Sequence, residues 1–150
     1  MKIDYFKIPE IKVSYKDNVK TTERFQVKCS EDTVQIFKIA FGECMQHHEE
    51  AYVIFMNRSN RVLGISNISK CGVASTLVDI KIIMQTALKV HASAIIFSHN
   101  HPSSILRPSQ EDIRLTKKLK EACELLDISF LDHIIMTEED HYSFANEGLL

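Results

Sequence analysis

The sequence predicts a single α/β domain, a mixed central β-sheet flanked by about three helices, and three observations carry that expectation. Two short runs, Tyr52-Val53-Ile54-Phe55-Met56 and Ala94-Ile95-Ile96-Phe97, are apolar at successive positions. Strands of that kind need cover on both faces and belong in the middle of a sheet. Three longer stretches instead carry apolar residues at helical spacing. Turn formers are scarce, with 4 Gly and 3 Pro in 150 residues, so most of the chain is left for regular structure.

Taken in order, a strand is suggested at 11–15. A helix follows Ser30, with Glu31 and Asp32 in its opening turn and Val34, Phe37, Phe41 and Cys44 as its apolar stripe. Ser30 suits an N-cap, and the acidic pair suits the positive end of the helix dipole. Strands at 52–56 and 62–68 flank Asn57-Arg58-Ser59-Asn60, which reads as a hairpin turn. A second helix begins near Ser75 and carries Leu77, Ile80, Ile83, Met84, Ala87 and Leu88. A strand at 94–97 precedes a third helix, which starts after Pro108-Ser109 and runs to about Leu126. Strands at 130–136 and 142–144 close the chain.

Composition narrows the function classes. With 45% apolar residues the chain buries an ordinary core, and 150 residues fit one domain spanning 1–150. The formal net charge of −2 gives no global basic footprint for nucleic acid, although a local patch stays open. Cys29, Cys44, Cys71 and Cys123 form no C-x-x-C pair, which argues against a zinc ribbon or a thioredoxin-like motif and for reduced, mostly buried thiols. The N-terminal residues are charged throughout and no apolar run reaches the ~20 residues of a membrane span, so the expected location is cytoplasmic.

The chemistry concentrates in Ile95-Ile96-Phe97-Ser98-His99-Asn100-His101-Pro102 and the residues up to Asp112. In extended backbone, residues i and i+2 point to one face, so His99 and His101 at a strand end can grip one ion. Pro102 ends regular pairing and turns the chain. Asp112 then falls in the first turn of the third helix. Two imidazoles and a carboxylate converging from two elements, with a fourth corner open, follow the plan of a catalytic zinc site; structural sites are closed by four protein ligands. Ser109-Gln110-Glu111-Asp112 also fits a capping box, which satisfies helix amides and is compatible with ligation. His48-Glu49 does not open an H-E-x-x-H helix, because position 52 is Tyr.

His99-x-His101, seven residues, then Ser109-x-x-Asp112 resembles the signature of the JAB/MPN/JAMM metalloproteases. His99-Asn100-His101-Pro102-Ser103, Pro108-Ser109-x-x-Asp112-x-x-x-Thr116 and Leu131-Asp132-His133-Ile134-Ile135 more closely resemble RadC-type JAB-domain proteins. The likeness extends from about Glu49 to the C-terminus, through Asn57-Arg58-x-Asn60-Arg61, Cys71-Gly72, Val78-Asp79 and Tyr142-Ser143-Phe144. The resemblance implies a JAB/MPN-like fold and a zinc-dependent hydrolase, cleaving an amide or isopeptide bond in an unidentified peptide or protein substrate. It implies one Zn2+ held by His99, His101 and Asp112, with water as fourth ligand. A glutamate before the first core strand would be the general acid/base; Glu49 is the best match, but Glu50 is adjacent and strand parity does not choose between them. Ser109 would hydrogen-bond the developing oxyanion.

Other positions carry two readings. Asp132-His133 is either a brace for a metal-bound imidazole or a packing pair on an internal strand. Asn100, pointing away from its flanking histidines, reads as a turn-stabilising amide, and Lys117-Lys118-x-Lys120 as a solvated helix face. Family members commonly have Gly where this chain has Ser104, which would cost about 1 kcal/mol if the backbone there needs positive φ. Ile105-Leu106 lines a substrate groove or contacts another subunit. Longer RadC relatives carry an N-terminal helix-hairpin-helix region for which this sequence has no room. The alternative function is a non-catalytic DNA-repair or mobile-element module with a vestigial metal site.

Overall fold

The two doubly apolar runs lie side by side at the centre of the sheet. The computed structural model describes residues 11–70 and 78–150. Its strands are β1 (Glu50–Met56), β2 (Val62–Lys70), β3 (Ala94–Asn100), β4 (Ser129–Met136) and β5 (His141–Ser143), and its helices are α1 (Ser30–Phe41), α2 (Ile80–Lys89) and α3 (Gln110–Leu125). The strand order is β2-β1-β3-β4-β5. All neighbours are antiparallel except β3 and β4, which are parallel and joined through α3, so the sheet is mixed as expected.

Alternation along the central strands splits the interior into two layers. On one face Ala51, Val53, Phe55, Ile95 and Phe97 pack with Ile83 and Ala87 of α2 and Leu119 and Cys123 of α3. On the other, Ile54, Met56, Ile96, Ile134 and Met136 pack with Val34, Phe37 and Phe41 of α1. The β1–β2 turn is held by the Asn57 side chain, whose Oδ1 accepts from Ser59 N (2.9 Å) and Arg61 N (3.0 Å). Asn60 takes φ 54°, a left-handed conformation that asparagine tolerates well.

Four local expectations need correction. Residues 11–15 form no strand: Ile11 and Val13 are exposed, and the Tyr15 hydroxyl reaches β2 at the Leu63 carbonyl (3.3 Å). The edge of the β1–β2 hairpin is met instead at Gln26, which bridges Arg61. The N-cap of α1 is Cys29 rather than Ser30, because the Asp32 carboxylate accepts from the amides of Lys28 (2.7 Å) and Cys29 (3.2 Å) and fixes the start one residue earlier. Gly42, at φ 49°, ends α1, so Cys44 falls in a 3-10 turn (Gly42–Gln46) and not on the helical stripe. The second helix starts at Ile80 rather than near Ser75, because Asp79, in extended conformation, caps it by accepting from Lys81 N; it buries Ile83, Met84 and Ala87 and leaves Leu88 exposed. Ser75, Leu77 and the Cys71-Gly72 pair lie outside the described residues. Of the remaining cysteines, Cys123 is buried, Cys44 half-buried and Cys29 exposed. Among the described residues, no helix is long and apolar enough to cross a membrane.

Candidate metal centre

The end of β3 sets the site. Ala51 lies opposite His99 and Val53 opposite Phe97, so His99 continues the face packed by α2 and α3. His101 N donates to the Met136 carbonyl (2.8 Å), which carries the pairing one residue past the strand and keeps His101 on that same face. The chain then turns at Pro102, with Ser104 N donating to the His101 carbonyl (3.0 Å). Ser104 takes φ 60°, a strained conformation that glycine would adopt freely. At the start of α3, Ser109 is the N-cap and Asp112 the third helical residue, in a complete capping box: Ser109 N donates to Asp112 Oδ2 (2.7 Å) and Asp112 N to Ser109 Oγ (3.1 Å).

These elements bring His99, His101 and Asp112 together. The two imidazole Nε2 atoms are 2.9 Å apart; Asp112 Oδ1 lies 3.2 Å from His99 Nε2, and Oδ2 lies 3.7 Å from His101 Nε2. Ligand atoms at ~2.0–2.1 Å around one tetrahedral zinc are separated by roughly 3.3 Å, and the three observed spacings bracket that value.

The hydrogen-bond network assigns the tautomers. The Thr116 hydroxyl donates to the Asp112 backbone carbonyl (2.7 Å), so its oxygen accepts from His133 Nδ1–H (2.6 Å). His133 Nε2 therefore offers a lone pair to His99 Nδ1–H (2.8 Å), so that a neutral His99 carries no hydrogen on Nε2. His101 Nδ1–H donates to the Ile105 carbonyl (2.6 Å), with the same result at its Nε2. Two bare lone pairs and a carboxylate thus face a common point. They repel one another unless a proton or a cation lies between them, and two imidazoles with one carboxylate suit a borderline divalent ion.

A proton taken up at His99 Nε2 relieves that repulsion as a cation would, and its effect is felt by the neighbouring groups. Burial works to raise the Asp112 carboxyl, but the hydrogen bond and charge of His99, together with the Ser109 hydroxyl and amide, more than offset it and hold the group well below the usual carboxylate range. His133 is fully buried and stacked on Phe144 with ring centroids 4.4 Å apart. Burial first, then the neighbouring charge of His99, push its pKa well below the ordinary imidazole value, so it stays neutral as the relay requires.

The cluster opens into a cavity of about 750 Å³ whose wall also includes Glu49, Ile105, Ser109, Val78 and Asp79. Glu49 precedes Ala51 by two residues and so shares the His99 face. Glu50 points the other way, where Oε2 accepts from the Tyr52 hydroxyl (2.9 Å) and Asn67 Nδ2 (2.7 Å) and Oε1 meets His48 Nε2 (2.8 Å). The structure therefore gathers Glu49, Ser109, His99, His101 and Asp112 around one cavity and leaves Glu50 outside it. Asp132 and His133 also separate: His133 braces His99, whereas Asp132 accepts from Ser143 Oγ (2.6 Å) and Ala145 N (3.0 Å) on the α1 face. Asn100 ties the preceding turn to the sheet, its Nδ2 donating to the Met45 and His48 carbonyls and its Oδ1 accepting from Glu50 N. Ile105 lines the cavity, Leu106 is half-buried, and Lys117, Lys118 and Lys120 are exposed. The role of Thr116 was not read from the sequence; its signal was the Asp112-x-x-x-Thr116 spacing, which lets a helical hydroxyl reach the carbonyl one turn back.

Comparison with known proteins places this arrangement. Residues 27–149 match the RadC-like JAB domain. The chain belongs to that family. It is 43% identical over 124 residues to a UPF0758 protein of Flavobacterium johnsoniae, covering 83% of this chain and 53% of the relative. It is 44% identical over 103 residues to a UPF0758 protein of Porphyromonas gingivalis (68% and 45%) and 34% identical over 127 residues to one from Aquifex aeolicus (85% and 54%). The chain spans about half the length of the curated relatives it matches. The RadC-like JAB assignment agrees with the single α/β domain, the five-stranded mixed sheet with three helices and the His99/His101/Asp112 cluster able to hold a metal.

Proposed function

We propose that the protein is a zinc-dependent hydrolase of the JAMM type that cleaves an amide or isopeptide bond in a peptide or protein. The observation that supports this most directly is the convergence of His99 Nε2, His101 Nε2 and the Asp112 carboxylate on one point, facing a cavity whose wall also carries Glu49 and Ser109. His99, His101 and Asp112 would hold the ion, which when bound would supply a water acidified to a pKa of ~7 as the nucleophile at neutral pH.

The chain's own groups do the rest. Glu49 takes the proton of the attacking water and returns it to the leaving amine. The Ser109 oxygen already accepts from Asp112 N, which leaves its hydroxyl hydrogen to donate to the carbonyl oxygen as negative charge gathers there. The relay through His133 and Thr116 keeps the His99 tautomer fixed throughout. Ile105 does two jobs: its carbonyl orients His101, and its side chain gives the substrate an apolar wall.

The test is zinc-loaded full chain incubated with a peptide library containing lysine-linked isopeptides, with newly freed carboxyl termini and the amines released with them, α-amino or lysine ε-amino, counted by mass spectrometry. Cleavage by the wild type that is lost in Glu49→Gln, with zinc content unchanged, is expected. Cleavage unaffected by Glu49→Gln, or a wild-type chain that holds no zinc after loading, contradicts the proposal.

A further inference from the structure

The opposite face of the sheet carries a second cluster of donors. We propose that Cys44, His48 and Glu50 form a separate divalent-metal site that takes a thiolate-seeking transition metal such as zinc. One ligand atom from each residue lies within 4.8 Å of the other two, and His48 Nε2 is already 2.8 Å from Glu50 Oε1. Sulfur, imidazole nitrogen and carboxylate oxygen are the three donor types that zinc accepts, and a thiolate favours zinc over hard cations such as magnesium or calcium.

The fold brings them together from one short stretch. Cys44 lies in the 3-10 turn after α1, His48 in the loop that follows, and Glu50 begins β1. Asn100 holds this stretch by bonding the Met45 and His48 carbonyls, so the donors are positioned by the core and not by loop chance. Glu50 is 5% exposed, and Tyr52 and Asn67 fix its carboxylate. The His48 side chain is 39% exposed, which gives an ion a route in and water a place as fourth ligand.

Binding would displace the Cys44 thiol proton to solvent and leave the metal joined to thiolate, imidazole and carboxylate. The ion would then clamp the 3-10 turn to β1, immediately behind the residue that carries Glu49 into the cavity on the other face.

Cobalt(II) titration of the full chain under reducing, anaerobic conditions tests this, because thiolate-to-cobalt charge transfer absorbs in the near ultraviolet and the His99 cluster contains no sulfur. The expected result is a charge-transfer band in the wild type that disappears in Cys44→Ser, persists in Cys29→Ser, and persists in the His99→Ala/Asp112→Ala double variant. Persistence in the double variant separates this site from the proposed hydrolytic centre, so either can fail alone. Should Cys44→Ser not fold, His48→Ala replaces a partly exposed side chain and should weaken the band-forming affinity at least roughly tenfold, the lower end of what even an outer hydrogen-bonding partner is worth to a metal site. Cobalt binding without the band, a band that survives Cys44→Ser in folded protein, or unchanged affinity in His48→Ala overturns the inference.

Discussion

The two faces of the sheet meet at the same end of β1 and β3 yet hold different chemistry. On the α2/α3 face, His99, His101, Asp112, Glu49 and Ser109 surround an open cavity of about 750 Å³. On the α1 face, Glu50 is enclosed by His48, Tyr52 and Asn67, and Asn100 is spent on backbone groups. Adjacent residues are sorted between these faces by strand alternation alone: Glu49 from Glu50, Asn100 from its two flanking histidines, His133 from Asp132. One residue of register therefore decides whether a carboxylate can act on a substrate or braces the fold, and identical side chains at neighbouring positions should respond very differently to substitution.

The largest effect breaks the open face. His99→Ala or Asp112→Ala should empty the His99 centre, read as loss of the metal not associated with a thiolate, and bring amide cleavage to background. Next comes the parity test. Glu49→Gln should lower cleavage by roughly 10²–10⁴-fold, the usual worth of a general acid/base, with metal content kept. Glu50→Gln should leave the rate nearly unchanged but destabilise the fold by about 1–3 kcal/mol in urea unfolding, because it disturbs a buried acceptor with several donors. Equal rate losses in both would break the comparison. Thr116→Val, at the far end of the relay, should weaken metal binding at the His99 centre about 10–100-fold while Thr116→Ser restores it. A purely structural threonine would show no such rescue.

Smaller effects sharpen the picture. Ser104→Gly should relieve the left-handed strain at φ 60° and raise stability by up to about 1 kcal/mol, partly offset by the greater freedom of glycine in the unfolded chain. The thiols should also differ by environment. Burial, then the charge of Glu124, pushes the Cys123 thiol up to about 12, so at pH 8 it remains protonated and unmodified by iodoacetamide, while exposed Cys29 is alkylated. Peptide mapping by mass spectrometry distinguishes them.

Residues that act through local spacing were legible in the sequence. His99 and His101 share a face because two residues separate them in extended backbone, and Ser109 and Asp112 share a helix start for the same kind of reason. The mixed sheet followed from the two runs that are apolar on both faces. What depends on register between distant strands was hidden. The choice between Glu49 and Glu50 waited on the pairing of Ala51 with His99, because every residue after them in β1 is compatible with either face. The strand expected at 11–15 is absent because the chain meets the β1–β2 hairpin at Gln26 instead. Cys44 and His48 looked unrelated because a 3-10 turn, which carries no strong periodic signal, folds the first toward the second.

The central claim is that two imidazoles and one carboxylate bind a single ion and leave a corner for water. A crystal structure of the zinc-loaded chain with an anomalous map at the zinc edge tests it most directly. The expected map places zinc ~2.0–2.2 Å from His99 Nε2, His101 Nε2 and an Asp112 oxygen, with solvent as the fourth ligand facing Glu49. A fourth protein atom in that corner, or zinc absent from these three side chains, contradicts the account.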